Sequence, residues 1–206
     1  KIRTVADFDG VASGVSFNVV LVKGTEGKIT IEGEENIMPY IITEIKRGTL
    51  KIEYKKNTNI KLTKKMTITI PFKDIDHVSL GGSGNIKTDD VIKAEDVRFS
   101  LGGSGNIFAK VNSKNTNTAI GGSGNIKLSG KTTSFKCSIA GSGSIKAYEL
   151  ETENLKASIA GSGSVKTNVS NKIKASIVGS GSVYYKGNPS KINTSSVGSG
   201  DVIDRN

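Results

Sequence analysis

Few side chains in this sequence of 206 residues are suited to catalysis, since it has one histidine, His77, and one cysteine, Cys137. A thiol nucleophile needs a general base within hydrogen-bond reach, and a structural zinc site needs about four Cys or His ligands. His77 and Cys137 fall in different repeats of the sequence, so we expect neither a Cys–His pair nor a Cys/His metal site. We predict that His77 is solvated and that Cys137 is a small buried residue.

Carboxylates are the other candidate catalytic groups, because hydrolysis of a glycosidic bond uses two of them a few ångströms apart. Superposing the repeats on their glycines gives each candidate a counterpart one repeat later: Asp89 with Lys110, Asp90 with Val111, Glu149 with Val169, Glu151 with Asn171 and Glu153 with Ile173. No column then stacks two carboxylates on adjacent repeats. We therefore predict no catalytic residue, and neither an EF-hand nor an aspartate-rich calcium motif is visible.

Glycine-rich phrases could cradle a phosphate, but such loops open a helix after a strand. Here Gly-Ser-Gly recurs seven times between alternating segments typical of strands, with start-to-start spacings of 21, 19, 19, 20, 18 and 19 residues. Such a period indicates a stacked β-solenoid in which Gly-Ser-Gly is a corner, where glycine permits positive φ or close backbone approach. The corner glycines are Gly82, Gly84, Gly103, Gly105, Gly122, Gly124, Gly141, Gly143, Gly161, Gly163, Gly179, Gly181, Gly198 and Gly200.

Apolar residues recur in register on both sides of these corners. Two residues before the first glycine stand Leu80, Leu101, Ile120, Ile139, Ile159 and Ile177, and four residues after it stand Ile86, Ile107, Ile126, Ile145, Val165, Val183 and Val202. Stacked about 4.8 Å apart, they would form internal ladders, with residues such as Ser158 pointing outward. The residue after the second glycine is Asn in the first three copies, and stacked Asn side chains can hydrogen-bond along a column.

The repeated phrase GSGNI resembles the signature of the head GIN domain family of auto-transporter adhesins. The stretch IEGEENIMPYIITEIKRGTLKI, residues Ile31–Ile52, is similar to the opening segment of that family, and the resemblance covers nearly the whole chain. It implies a right-handed, parallel β-helix-like solenoid and a secreted or cell-surface protein. The later GSGS and GSGD copies depart from GSGN.

The sequence divides into an N-terminal β region, residues 1–75, which starts or caps the solenoid, and a solenoid of seven Gly-Ser-Gly rungs, residues 76–206. Ser13-Gly14-Val15 is interpreted as a degenerate corner. In the first region we predict strands at Val15–Lys23, Lys28–Gly33 and Met66–Ile70, a helical turn or loop at Glu34–Tyr40, a hairpin of Ile41–Lys46 and Thr49–Lys55, and a polar connection at Asn57–Lys65. The start at Lys1 without methionine suggests a mature or trimmed chain.

The net charge is +10, and part of it is arranged in columns. Five residues before the first corner glycine stand Lys136, Lys156 and Lys174, and five residues after it stand Lys127, Lys146 and Lys166. Both positions have the outward parity, so these six lysines are the predicted ligand-binding residues, forming a stripe for a polyanion. The alternative is a solvated face, because long lysine stems can splay into water.

These observations together predict a non-enzymatic, secreted or cell-surface adhesin that presents a repetitive face to an acidic glycan, an envelope polymer or a host protein. A carbohydrate-active lyase or hydrolase and a purely structural envelope component remain alternatives. No cofactor and no specific nucleic acid are expected, because no recognition helix or aromatic stacking platform is visible. Membrane association would need an anchor that this sequence does not show, and oligomerisation is left open. The expected location is the cell surface, the outer membrane or the periplasm.

Overall fold

The computed structural model describes residues 1–58 and 60–206; Asn59, within the predicted polar connection, lies outside the described residues. Apart from a 3₁₀ turn at Met38–Tyr40, the elements of this described part are strands. They are β1 Ile2–Thr4, β2 Gly10–Ser13, β3 Asn18–Lys23, β4 Lys28–Glu32, β5 Ile41–Lys46, β6 Thr49–Tyr54, β7 Thr67–Phe72, β8 His77–Leu80, β9 Asn85–Leu101, β10 Asn106–Gly122, β11 Asn125–Gly141, β12 Ser144–Gly161, β13 Ser164–Gly179, β14 Ser182–Lys186, β15 Lys191–Val197 and β16 Val202–Asp204.

The repeats stack as a parallel β-solenoid of about seven coils, here called rungs, which confirms the predicted fold class. Strands β9 to β13 pair in series, and the register joins equivalent positions of successive repeats, such as Ile107 with Ile126 and Ile126 with Ile145. Residues at the same offset from successive corners therefore form a column that runs along the solenoid.

The inward columns are buried as the alternation predicts. Ile159 is 1% exposed, whereas its neighbour Ser158 is exposed. The whole set of apolar columns forms one continuous core from Phe8 to Val183. At about 1.5–3 kcal/mol for each large buried side chain, these ladders supply most of the driving force for folding.

The corner glycines are required by the stacking itself. The first corner glycine accepts hydrogen bonds through its carbonyl oxygen from the next rung at Gly103, Gly122, Gly141, Gly161 and Gly179. Gly103 O, for example, accepts from Ser123 N at 3.2 Å and Gly124 N at 3.0 Å. A β carbon on Gly122 would approach Gly103 O to 2.6 Å, and φ at Gly122 is +151°. Because the carbonyl must lie this close to bond, a side chain has no room at the corner.

The predicted Asn column is confirmed, and it is one residue longer than the sequence suggests. Asn125 donates to Asn106 at 2.9 Å, Asn106 to Asn85 at 2.8 Å, and Asn85 to Asn18 at 2.9 Å. Further along, Ser144 and Ser164 continue the column with a hydroxyl–hydroxyl bond of 3.0 Å. The ladder therefore ties the N-terminal strand β3 to the regular rungs.

The N-terminal strands are stacked out of chain order. Strand β2 lies between β6 and β8, and β3 lies between β7 and β9, with all four contacts parallel. The outermost rung, β6 with β7, is covered by antiparallel contacts from β5 and β4. This cover reduces the exposure of an edge, formed by β6 and β7, that could otherwise pair with another chain.

A degenerate corner is present, but it lies later in the chain than the predicted Ser13-Gly14-Val15, because Ser13 still belongs to β2 and pairs with Leu80. Val15 and Phe17 occupy the positions of the two corner glycines, because Gly82 and Gly84 stack directly on their carbonyl oxygens. Both side chains are buried, and the Tyr54 ring packs edge-on against Phe17 at 5.9 Å. The predicted strand from Val15 thus begins at Asn18, since residues 15–17 turn the corner.

Candidate functional site

The register places the predicted lysines in two columns on neighbouring strands. Lys136 of β11 pairs with Lys156 of β12, and Lys156 with Lys174 of β13. We call these three the first column. The second column, Lys127, Lys146 and Lys166, is aligned in the same way on the other side of the corner. Lys166 is half-buried and the other five are exposed.

The lysines of the first column stand beside small outward side chains. The neighbouring outward position on the same strands carries Ser138, Ser158 and Ser176, all exposed, and the position after that carries Ala140, Ala160 and Val178. Small side chains leave the backbone surface open beside the ammonium groups. An extended ligand could therefore lie along this face without displacing protein atoms.

Acidic side chains are segregated from this face. The nine acidic residues after His77 are Asp89, Asp90, Glu95, Asp96, Glu149, Glu151, Glu153, Asp201 and Asp204, and none belongs to the strand segments that carry the first column. Lys127 pairs with Glu149 at 2.8 Å. Among the described residues, the other five lysines of the two columns have no carboxylate at ion-pair distance. The resulting surface is a positively charged strip in which few lysine charges are neutralised by a neighbouring carboxylate.

The carboxylates do not lie where the constant repeat placed them. Two extra residues bulge from β9, so Lys110 pairs with Val91 and not with Asp89. Three extra residues in β12 likewise leave Glu149 without a partner on β13 and pair Glu151 with Asn168. The predicted counterparts of these carboxylates were wrong, because a bulge lengthens one strand without moving the corners.

The bulged carboxylates are engaged with lysines. Lys87 lies 2.8 Å from Asp89, and this hydrogen bond holds the pKa of Asp89 below its ordinary value. Glu151 pairs with Lys131 at 2.9 Å. Glu151 and Glu153 also line a cavity of about 540 Å³ together with Asn112, Lys131, Thr152 and Asn168. This depression is therefore a polar groove that contains two carboxylates.

His77 keeps the outward position predicted for it, in register with Arg98, but it is not freely solvated. Its ring covers Gly10 and is half-buried. Nδ1 lies 2.5 Å from Oδ1 of Asp76, and Nε2 lies 2.8 Å from Oγ1 of Thr49. The prediction of a solvated histidine was wrong because Gly10 leaves room for the ring to reach Thr49, two strands away.

The N-terminal strands also bring two carboxylates to adjacent rungs, which corrects the prediction that no column does so. Asp76 N donates to Asp9 O at 2.8 Å, so the two residues, which immediately precede β8 and β2, are neighbours on adjacent rungs. The Asp9 carboxylate nevertheless lies over Gly48, and that of Asp76 bonds His77. The two acidic groups therefore serve different contacts.

Cys137 is buried in the inward column, between Thr118 and Ala157. Burial raises the pKa of its thiol to about 12. Because the thiolate is the reactive form, the folded protein holds this sulfur inert.

Sequence reasoning missed an aromatic cleft at the end of the second column. Tyr148, on the bulge of β12, and Tyr184 of β14 border a depression of about 470 Å³ with Ser164, Lys166 and Arg205. The available signal was the change in repeat spacing from 20 to 18 residues, which marks a long rung beside a short one.

The fold and these surfaces define the class of protein: a β-solenoid that presents ordered columns of side chains. The model of the family described as "Putative auto-transporter adhesin, head GIN domain" matches residues 7–189. The chain belongs to this family, as its repeats indicated, and is therefore an adhesin-like protein of the cell surface or an exported one.

Solved structures share the fold. A "putative adhesin" of Bacteroides fragilis superposes with a TM-score of 0.89 at 24% identity, covering 100% of this chain and 95% of that one. One with the same description from Parabacteroides merdae gives 0.79 at 22% identity, with 100% and 95% coverage. A "putative lipid binding protein" of Parabacteroides distasonis gives 0.79 at 24% identity, with 100% and 96% coverage. No curated protein matches the sequence.

One further property concerns membranes. Within residues 1–58 and 60–206, no helix is both long and apolar enough to cross a bilayer.

Proposed function

We propose that this protein is a non-enzymatic adhesin that binds an anionic polymer along its lysine columns. The polymer is an acidic glycan or a phosphate-bearing envelope polymer, and the site of action is the cell surface, the outer membrane or the periplasm. The observation that carries the proposal is the first column, Lys136, Lys156 and Lys174, exposed on a sheet face that has no acidic side chain and small neighbouring side chains.

The spacing of the column suits a linear ligand. Adjacent strands of a sheet are about 4.8 Å apart, so a polymer along the solenoid axis meets one ammonium group per rung. Like charges on neighbouring strands repel one another, and a bound polyanion removes that repulsion. Because the groups are exposed, binding should weaken as salt screens charges over about 8–10 Å.

The experiment is a charge-neutralising variant with Lys136→Gln, Lys156→Gln and Lys174→Gln. A matched control carries Lys55→Gln, Lys56→Gln and Lys61→Gln, which removes equal charge from exposed positions far from the columns. Binding to heparin and to poly(glycerol phosphate) is measured at low and moderate salt. At about 1 kcal/mol per lysine near an anionic surface, the column variant should bind about a hundred-fold more weakly at low salt. Binding equal to that of the control would overturn the proposal.

A carbohydrate-active enzyme is the second candidate, and one observation favours it: Glu151 and Glu153 line the 540 Å³ groove with two Asn side chains. Two carboxyl groups in one groove are the minimum for glycoside hydrolysis. Incubation with acidic and neutral polysaccharides tests this candidate. Turnover that is lost in Glu151→Gln or Glu153→Gln would establish the enzyme, whereas intact polymer that remains bound would support the adhesin.

A further inference from the structure

The cleft beside Tyr148 arises from two neighbouring strands of unequal length. Between β12 and β13 the register passes from Ala147–Thr167 directly to Glu151–Asn168, so residues 148–150 have no partner on β13. Leu150 turns into the core, Glu149 turns toward Lys127, and Tyr148 remains half-buried at the surface. The bulge of β12 therefore projects beside the shorter strand β13, and β13 forms the floor of a depression.

The opposite wall comes from the next rung. Tyr184 of β14 pairs with Lys166 of β13, and the two tyrosines lie two strands apart, about 10 Å along the axis. Ser164 and Lys166 form the floor of the 470 Å³ space, and Arg205 closes one side. The cleft thus has two aromatic walls and a polar floor.

One cation lies over each of the two tyrosine rings. Arg205 Cζ is 5.2 Å from the Tyr184 ring centroid, and Lys186 Nζ is 5.2 Å from that of Tyr148. With Lys166, three positive groups surround the cleft, and none of its described lining residues is acidic. The nearby Glu149 is paired with Lys127, and Asp204 accepts a bond from the Tyr185 hydroxyl at 3.3 Å. The field inside the cleft therefore favours an anion.

A second depression connects this cleft to the lysines. Lys127, Lys146 and Lys166 line it together with Tyr148 and Glu149. Tyr148 and Lys166 belong to both depressions, so one ligand can pass from the second column into the cleft.

We propose that the cleft between Tyr148 and Tyr184 is a subsite for one acidic sugar residue, whose ring packs on the tyrosine faces while its carboxylate or sulfate is bound by Arg205 and Lys166. A pocket that combines aromatic walls with a few convergent polar groups is suited to an orienting subsite. The guanidinium of Arg205 matches the planar geometry of a carboxylate. The inference rests on the function proposed above, because the sugar is a residue of the same polymer.

The test compares Tyr148→Ala and Tyr184→Ala with Tyr148→Phe and Tyr184→Phe, which keep the ring faces. The probes are a hyaluronan hexasaccharide, a heparin hexasaccharide and inorganic polyphosphate, with affinity measured by calorimetry at physiological ionic strength. Removing a tyrosine ring removes the apolar surface on which the sugar ring packs, so each Ala variant should bind the hexasaccharides about ten-fold more weakly. The Phe variants should bind them as the parent does.

Polyphosphate separates stacking from charge, because it has no ring. The Ala variants should bind polyphosphate as well as the parent, whereas Arg205→Gln should weaken all three probes. Hexasaccharide binding that is unchanged in both Ala variants would overturn the subsite, as would an equal loss for polyphosphate. Tighter binding of single-stranded DNA, lost in the Ala variants, would overturn it in favour of a nucleic-acid surface.

The two proposals can fail separately. The variant with Lys136, Lys156 and Lys174 changed to Gln leaves every cleft residue intact. If that variant keeps long-polymer binding while Tyr148→Ala loses the hexasaccharides, the column proposal falls and the subsite stands. If it loses the polymer while both Ala variants keep the hexasaccharides, the subsite falls and the column proposal stands.

Discussion

The carbonyl oxygen of Gly141 lies so close to Gly161 of the next rung that Gly161 has no room for a side chain. A β carbon on Gly161 would be 2.4 Å from that oxygen. Gly161 also has a φ of +125°, which side chains disfavour. The same relationship recurs between Gly161 and Gly179, where the distance would be 2.5 Å. The repeated glycine is thus a condition for stacking one rung on the next.

We expect Gly161→Ala to destabilise the protein by about 3 kcal/mol or more, through the backbone clash and the strained φ. The matched control is Gly121→Ala, since a β carbon there meets nothing within 4 Å. Urea unfolding followed by circular dichroism measures both. Equal stability of the two variants would contradict the stacking requirement.

Ile159→Ala should lower the free energy of unfolding by about 2–5 kcal/mol, because it empties a position that is 1% exposed in the middle of the core. Ser158→Ala, on the outward face next to it, should change stability by less than about 0.5 kcal/mol. Chemical denaturation of both variants gives the comparison. Similar losses would mean that the inward and outward positions are wrongly assigned.

Asn106→Ala should cost about 1–2 kcal/mol, since it removes the bonds to Asn85 at 2.8 Å and to Asn125 at 2.9 Å. Asn112→Ala, at an exposed position, serves as the control. Thermal unfolding of the two variants should separate them. A midpoint for Asn106→Ala equal to that of the control would show that the ladder adds nothing to stability.

Neutralising the first column should stabilise the free protein at low salt. Lys136, Lys156 and Lys174 repel one another on adjacent strands, so changing all three to Gln should raise the free energy of unfolding by about 0.5–1 kcal/mol. The gain should vanish at high salt, where exposed charges are screened. A variant that is less stable at low salt would mean that the lysine stems contribute packing that outweighs the repulsion.

Alkaline pH should destabilise the protein partly through Cys137. Burial raises the pKa of this thiol from 9.0 to about 12, so the unfolded thiol ionises first and the folded form holds the extra proton. Its contribution is complete below pH 9.0 and is lost as pH rises toward 12. The free energy of unfolding of the parent should therefore fall relative to that of Cys137→Ala across this interval. The variant is expected to fold, because Ala already occupies the same column at Ala157. A constant difference between the parent and the variant would refute the linkage.

The repeated sequence determined most of the regular solenoid. Fixed offsets from the Gly-Ser-Gly corner predicted which residues face inward, because a strand alternates its side chains and stacking preserves the offset. Spacing alone could therefore predict the buried position of Ile159, the Asn ladder and both lysine columns. These features depend on local geometry repeated at one period.

The tertiary structure decided the features that lie where neighbouring rungs differ in sequence or in length. Val15 and Phe17 replace corner glycines at the start of the stack, where the ring of Tyr54, from the rung beneath them, packs edge-on against Phe17. The order of β2 between β6 and β8 is likewise absent from the sequence pattern, since pairing across the chain is set by burial and not by proximity.

The candidate site likewise combines features that the sequence predicts with features that only the tertiary structure sets. The lysine columns follow from the period, whereas the contacts of Glu149 and the cleft between Tyr148 and Tyr184 follow from a bulge in β12 beside a shorter β13. A difference in spacing gives only the net difference in length between two rungs, and neither the length of a bulge nor the direction in which its residues turn. That direction is set by packing, because Leu150 must reach the core and so leaves Tyr148 at the surface.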